Sequence, residues 1–428
     1  MTGGTEKRTK IYRRGIAEAA TELHALREDP SNLARLLQLQ AYLVARLRQS
    51  QRFIEKRRAD LVALRRARSL GRPSKQVAEA LKILISDYDA DIKCEQSRQQ
   101  AWRCFGDGVA NIYQSQHSLK QLYFNTEDGT IKPHAGSFLG KDGFKLEWEV
   151  LKSAVESSVP CVLADLTNVI RHGDVCLLGR AEPFVLEVKS GTKSARAFRQ
   201  VADNKKVHDF FENDFAPALR GMRNVTRVAL KHEELKHLAS LNSCIDKALA
   251  AGFAMIEPEP GLRYIAICHE ALEGGWHELL PTGSSNMVYS LTCEEPWHTS
   301  YPYTLSLRTE DVAKFVCGEL HLVVVVSAER IKEKFAELDL VATMVMDGVH
   351  AVQLNFQTEH GEACFFISEL NFARIATEFL SVDQFVQNTE NMCRQGPSGD
   401  ALTAGPTELT EYESALMDYS KRTRDFYS

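Results

Sequence analysis

Several features that would place a protein quickly are missing from this chain. No apolar run is long enough to span a membrane; Leu322-Val323-Val324-Val325-Val326 falls far short of the roughly 20 residues a bilayer needs. The first residues are polar and basic with no apolar segment behind them, so no secretory signal is read and a cytoplasmic location is expected. The ten cysteines stand singly, with no Cys-x-x-Cys, which argues against a zinc ribbon or a disulfide framework and suits reduced thiols. Two motifs fail on spacing. Residues 136–142 carry the glycines of a phosphate loop, but three residues separate Gly136 from Gly140 where four are needed, and Asp142 stands in place of the metal-holding Ser or Thr. His232 and His237 are five apart, whereas a metalloprotease helix needs four to put both on one face, so they read as surface histidines.

What is present is unevenly charged. The formal net charge of the 428 residues is −5, but residues 1–80 hold 18 Lys and Arg against 8 Asp and Glu, so the first fifth is basic and the remainder acidic. A basic segment on an acidic body points to a partner of its own or to a solvated helical face. Residues 33–70 predict a long helix. Positions alternately three and four apart are Leu33, Leu36, Gln40, Leu43, Leu47, Ser50, Ile54, Arg57, Leu61 and Leu64, and seven of these ten are apolar, as in a coiled-coil seam. Gly71-Arg72-Pro73 breaks the helix, and a second runs from Ser74 past Gln99, its stripe of Val77, Leu81, Leu84 and Tyr88 able to fold back on the first. This helical hairpin has two open roles: a dimer or larger oligomer through the leucines, or a nucleic-acid arm through Arg57, Arg58, Arg65 and Arg66.

The stretch with the most chemistry runs from Gly173 to Gly191. Two apolar runs, 175–178 and 184–188, flank the turn residues Gly179 and Pro183 and predict a β-hairpin. Side chains alternate along a strand, so Glu187 and Lys189 share a face while Val188 points away, and Asp174 can reach that face from the partner strand. Burying two carboxylates and an ammonium together is costly unless something compensates, and a divalent cation would. The preceding helix, predicted over residues 142–157, has a stripe of Phe144, Trp148, Leu151 and Val155. At 100° per residue, Glu147 lies about 70° from the stripe centre and Glu149 about 130° from it, so Glu147 borders the buried face and Glu149 faces solvent.

These residues resemble the core of the PD-(D/E)xK nuclease superfamily, with its restriction-endonuclease-like fold, in which an Asp opens one core strand and Glu-x-Lys lies on the next. Asp174 and Glu187-Val188-Lys189 match that pattern, and Glu147 matches the acidic residue the family carries on the preceding helix. The Glu147–Leu151 stretch also looks like the Glu-bearing helix of archaeal Holliday-junction resolvases. Gln200 is similar to the Gln that follows Glu-x-Lys in several branches, and equally reads as a solvent-facing helix residue. No Pro precedes Asp174; His172-Gly173 stands there instead. The resemblance implies a phosphodiester hydrolase acting on nucleic acid, DNA before RNA. Its Mg²⁺, with Mn²⁺ able to substitute, would be held by Asp174, Glu187, the Val188 carbonyl and Glu147, with Lys189 polarising the nucleophile. Lys193, Arg196 and Arg199 after the motif would suit backbone phosphates. Phage defence or restriction is the setting the resemblance suggests. A nucleic-acid-binding or assembly protein on a degenerate nuclease fold is the alternative. Asp165 reads as a turn cap before it reads as a further acid.

The expected architecture is therefore α/β: a basic helical hairpin over 1–118, a nuclease-like mixed-sheet core over 119–260 closed by a strand at 225–230, a further α/β region over 261–393, and a linker with a short helix over 394–428. Buried-looking runs at 264–268, 321–326 and 351–356 predict strands of that further region, and residues 238–251 predict a helix. No membrane partner is expected.

Overall fold

The seam read along residues 33–64 becomes a buried stripe. In the computed structural model, which describes residues 2–70, 74–133, 136–141, 143–188, 195–280, 285–293, 299–359 and 361–395, helix α1 (Thr2–Glu28) precedes α2 (Leu33–Leu70) and α3 (Lys75–Tyr113). Leu36, Leu43 and Leu47 are fully enclosed, and further along α2 Ile54 and Leu61 meet Ile92, Ile85 and Tyr88 of α3. The polar seam positions are answered in kind. Ser50 accepts a hydrogen bond from Gln99 at 2.9 Å, and Arg57 pairs with Asp91 at 2.9 Å while lying over the Tyr88 ring. Because α2 positions rise as their α3 partners fall, the hairpin is antiparallel, as its sequence predicts. Ile16, Ala19, Ala20, Leu23 and Leu26 give α1 the same kind of buried stripe.

The chain divides into two compact units, one of residues 14–122 and 133–204 and one of residues 1–13, 123–132 and 205–428. The expected boundaries after 118 and 260 do not coincide with this division: the helical hairpin belongs with the candidate core. That first unit adds a short α4 (Gln116–Leu119), α5 (Phe144–Glu156) and a three-stranded antiparallel sheet of β1 (Cys161–Leu163), β2 (Val175–Leu177) and β3 (Phe184–Leu186) in the order β1-β2-β3. Glutamines from the long helices hold it. Gln40 donates through Nε2 to the Cys161 carbonyl at 2.9 Å and accepts from the Leu163 N–H at 3.0 Å, so one side-chain amide takes the place of a neighbouring strand along β1. Gln114 donates to the carbonyls of Leu178 and Arg180 at 2.8 and 2.7 Å and ties down the β2–β3 turn.

Two expectations about the sheet are corrected. Its pairings are antiparallel, not mixed, and the expected closing strand at 225–230 is not part of it. Val225 lies in β5 (Met222–Thr226), which pairs with β4 (Phe215–Leu219) in a separate two-stranded ribbon, and residues 227–230 are not strand. Turn formation at Arg220-Gly221, both with positive φ, folds the segment onto its own neighbour before it can reach a distant sheet. Helix α6 (Ala195–Asn213) runs from one unit into the other.

The second unit follows the sequence closely. Helix α7 (Leu238–Ala251) leads into the hairpin of β6 (Phe253–Glu259) and β7 (Leu262–Cys268), and β8 (Asn286–Leu291) and β9 (Leu320–Ser327) complete a four-stranded antiparallel sheet in the order β6-β7-β9-β8. Short α8 (Tyr303–Ser306) and α9 (Thr309–Val316) lie between β8 and β9 in the chain. After α10 (Ala328–Ala336), a second antiparallel sheet forms from β10 (Val341–Met344), β11 (His350–Thr358) and β12 (Gly361–Ser368). The short α11 (Glu369–Phe372) and α12 (Arg374–Thr377) then lead to α13 (Val382–Arg394). A buried ion cluster joins this end to residues 234–236: Arg374 bridges Glu378 at 2.7 Å and Glu234 at 2.6 Å, and Lys236 lies 3.6 Å from the centre of the Tyr301 ring. The expected helix near the C-terminus lies outside the described residues. Among those described, no helix is long and apolar enough to cross a membrane.

Candidate metal centre

Each acidic side chain of the candidate site is brought in by a different local device. Glu147 sits in the first turn of α5, where Leu151 is fully buried and Phe144 and Trp148 are half-buried; Phe144 stacks on Trp148 and meets Phe138 edge-on. Glu147 is only 3% exposed while Glu149 is exposed, in the order the helical angles require. Asp174 stands one residue before β2. Its N–H donates to the Leu186 carbonyl at 2.7 Å, its carbonyl accepts from Ala164, and its Oδ2 accepts from the Val188 N–H at 2.9 Å. The β2–β3 register ends with Val175 opposite Leu186, and the Asp174 bonds to Leu186 and Val188 bring it beside the end of β3, where Glu187 follows in the chain. The missing proline has a physical reason. Gly173 has φ +66°, and a β carbon there would lie 2.7 Å from the Leu186 carbonyl oxygen, so proline, locked near −65°, has no place.

The sequence reading assigned Asp165 to a turn cap, yet its carboxylate faces the site. It lies in the single 3-10 turn Ala164–Leu166 that follows β1, and α3 fixes that turn. Arg103 donates to the Asp165 carbonyl at 3.1 Å, Gly106 lets the Leu166 backbone come into direct contact, and Asp107 accepts from the N–H groups of Asn168 and Val169 at 2.7 and 3.0 Å. Positions 103, 106 and 107 share one face of α3.

The side chain that joins these acids is Lys141, which the sequence reading passed over with the rejected phosphate loop. Its ammonium lies 2.7 Å from Asp165 Oδ2, 2.9 Å from Glu147 Oε2 and 3.5 Å from Asp174 Oδ1. Gln51 of α2 accepts from the Phe138 N–H at 2.9 Å, and the buried Phe138 ring anchors the loop that delivers Lys141. Burial alone would lower the Lys141 pKa, but the charges of Asp165 and Glu147 outweigh it and hold the ammonium above its ordinary range. For Glu147 the balance is opposite: burial, helped by the charges of Asp174 and Asp165, raises its pKa despite the contact with Lys141. No pattern in the sequence marks Lys141, because its partners lie six, 24 and 33 residues away. Asp165 did carry a sign: an acid placed directly after the apolar run Cys161-Val162-Leu163-Ala164.

The remaining expected site residues fall as follows. Glu187 and Val188 are half-buried just past the end of β3. Lys189 and Lys193 lie outside the described residues, as does the Arg196 side chain. Arg199 is exposed and Gln200 half-buried in α6. Of the four arginines expected to face nucleic acid, Arg57 is half-buried and paired with Asp91, and Arg65 bonds Asp89 at 3.1 Å, whereas Arg58 and Arg66 are exposed. Carboxylate oxygens are the donors a hard divalent cation takes, so the donor set fits Mg²⁺ or Mn²⁺. The spacing is that of an ammonium shell, and among the described residues no three acidic, His or Cys side chains are spaced to ligate a metal directly. Comparison with family models, curated proteins and solved structures gives no match for this chain.

Asp107 carries a cost that can be measured. Complete burial, only partly offset by hydrogen bonds from Val169 and Asn168, raises its pKa from 3.8 to about 6. Between those values the folded chain keeps a proton that the unfolded chain has lost, so stability falls as pH rises through that window. At 1.36 kcal/mol per unit, the contribution lost by pH 7 is about 3 kcal/mol. Asn at this position does not titrate. The unfolding free energy of wild type minus that of Asp107→Asn is therefore expected to fall by about 3 kcal/mol from pH 3 to pH 7 in urea titrations; a constant difference would show that Asp107 is not protonated in the native state.

Proposed function

We propose that this protein is a divalent-metal-dependent nuclease that hydrolyses phosphodiester bonds, in DNA before RNA. The observation that carries the reading is the convergence of Glu147, Asp165 and Asp174 on one cation-sized point, with the Val188 N–H bonded to Asp174. Asp174, Glu187 and Glu147, with the Val188 carbonyl, would hold Mg²⁺ or Mn²⁺, and Asp165 is added to that set by its direction. When bound, the ion would polarise a phosphoryl oxygen and lower the pKa of a water. The chain's own residues then have separate tasks. Asp174 is kept in place by the Val188 N–H, Glu147 with its raised pKa can take a proton from water, and Lys189 would balance charge developing on the phosphate. Arg58 and Arg66, unlike the paired Arg57 and Arg65, leave α2 with cations to offer a phosphate backbone.

The second reading, a nucleic-acid-binding or assembly protein on a degenerate fold, draws support from the same ammonium, which already fills the space between the acids. Incubation with duplex, single-stranded and branched DNA and with RNA, in Mg²⁺, Mn²⁺ or EDTA, separates the two. Metal-dependent cleavage is expected, reduced at least about 100-fold by Asp174→Ala, Glu187→Ala or Lys189→Ala, with Glu147→Ala far more damaging than Glu149→Ala. Binding without cleavage in any metal would favour the second reading. Undiminished cutting by all the active-site variants would sink the assignment.

A further inference from the structure

We propose that Lys141 is the resident counter-ion of the acidic cluster and that a divalent cation binds by displacing it, so that one loop lysine sets how much metal the protein requires. This rests on the metal-dependent reading above and names a regulation of that same site. Three carboxylates from three separate segments, α5, the turn after β1 and the start of β2, face one Nζ within 3.5 Å. One ammonium neutralises one of three formal charges and leaves a surplus that favours a more highly charged ion. The shell also has the wrong radius for metal only because an ammonium defines it. Charge-assisted N–H···O distances run at about 2.7–2.9 Å, against about 2.0–2.1 Å for Mg²⁺, so the oxygens must draw in once the lysine leaves.

Lys141 is built to leave. It comes from a loop, not from the body of a helix; the loop is anchored at Gln51 and Phe138 three residues upstream and by the Phe144 N–H on the Lys141 carbonyl, which hold its main chain and leave the side chain to turn. Its side chain is 25% exposed, whereas Glu147 beneath it is 4% exposed, so a path to water opens on the lysine side of the cluster. The segments that carry the acids, by contrast, are held without Lys141: Arg103 bonds the Asp165 carbonyl, the Val188 N–H bonds the Asp174 carboxylate, and Glu147 is part of the α5 helical backbone. Withdrawal of the lysine therefore leaves the supporting backbone in place while the carboxylate side chains draw in on the ion.

Calorimetric titration of the full chain with Mn²⁺ alone tests the displacement. Lys141→Met and Lys141→Gln remove a like charge from beside the ion and are expected to bind Mn²⁺ at least about tenfold more tightly than wild type. Lys145→Met, on the exposed face of α5, is expected to change nothing. The wild-type chain supplies a second measurement that needs no variant to fold: acetylation of Lys141, read by mass spectrometry, should rise severalfold at saturating Mn²⁺ while Lys145 stays constant. Equal or weaker Mn²⁺ binding by both variants, or unchanged Lys141 labelling at saturating Mn²⁺, overturns the displacement and leaves the metal reading standing. If neither wild type nor the variants bind Mn²⁺ or Mg²⁺, the metal reading fails and the displacement with it.

Discussion

Gly106→Ala is expected to abolish cooperative unfolding of the unit formed by residues 14–122 and 133–204. Helix propensity alone argues the other way, since alanine is better than glycine inside a helix by about 1 kcal/mol. Sterics decide the sign. A β carbon on Gly106 would lie 2.0 Å from the Leu166 carbonyl oxygen and 2.7 Å from its carbon. Both are backbone atoms, so no rotamer change relieves the clash. Relief means parting α3 from the turn at Ala164–Leu166, and the bonds of Arg103 to Asp165 and of Asp107 to Asn168 and Val169 part with it. A loss above about 4 kcal/mol is expected, or no urea transition at all. Gly136→Ala meets open space and should unfold like wild type. A wild-type transition for Gly106→Ala would mean that the turn carrying Asp165 is not seated on α3.

The second large effect belongs to the other unit. Arg374 makes two bonds to the fully buried Glu378, at 2.7 and 3.0 Å, and a third to Glu234. Burial works to lower the guanidinium pKa, and the charges of Glu378 and Glu234 outweigh it. Arg374→Met removes the nearer cation and leaves Glu378 in the interior facing Lys236 at 3.8 Å, which costs about 3 kcal/mol. Hydrogen exchange should show protection lost within residues 205–395 and retained around α2, α3 and α5. Adding Glu378→Met is expected to recover most of the loss, because a buried pair can often be replaced by apolar side chains at little net cost. No recovery in the double variant would assign the penalty to packing instead of to a stranded charge.

Elements governed by local periodicity were legible in the sequence. The seam of α2, the helix at Leu238–Ala251, the strand run at 264–268, and the contrast of Glu147 with Glu149 all follow from spacings within a few residues. What escaped depends on contacts across the chain. Lys141 and Asp165 gain their meaning from a loop and a turn that only folding brings to Asp174. Gln40 occupies an α2 seam position and is buried as that position predicts, but its partner is a strand 121 residues later. The segment at 225–230 has the composition of a core strand, and a nearby positive-φ turn paired its first residues with a neighbour instead.

The amide of Gln40 also bears on how this protein stays out of aggregates. A three-residue edge strand presents unpaired N–H and C=O groups, a template on which another chain can add a strand. Along β1 the Cys161 carbonyl and the Leu163 N–H, the inner two groups of that edge, are already taken by one side chain. Because the amide is rooted in the helical seam, a one-residue slip of α2 would swing it about 100° away and expose the edge while unseating the leucines. Helix register and the protection of the β1 edge are thus tied together here by one glutamine.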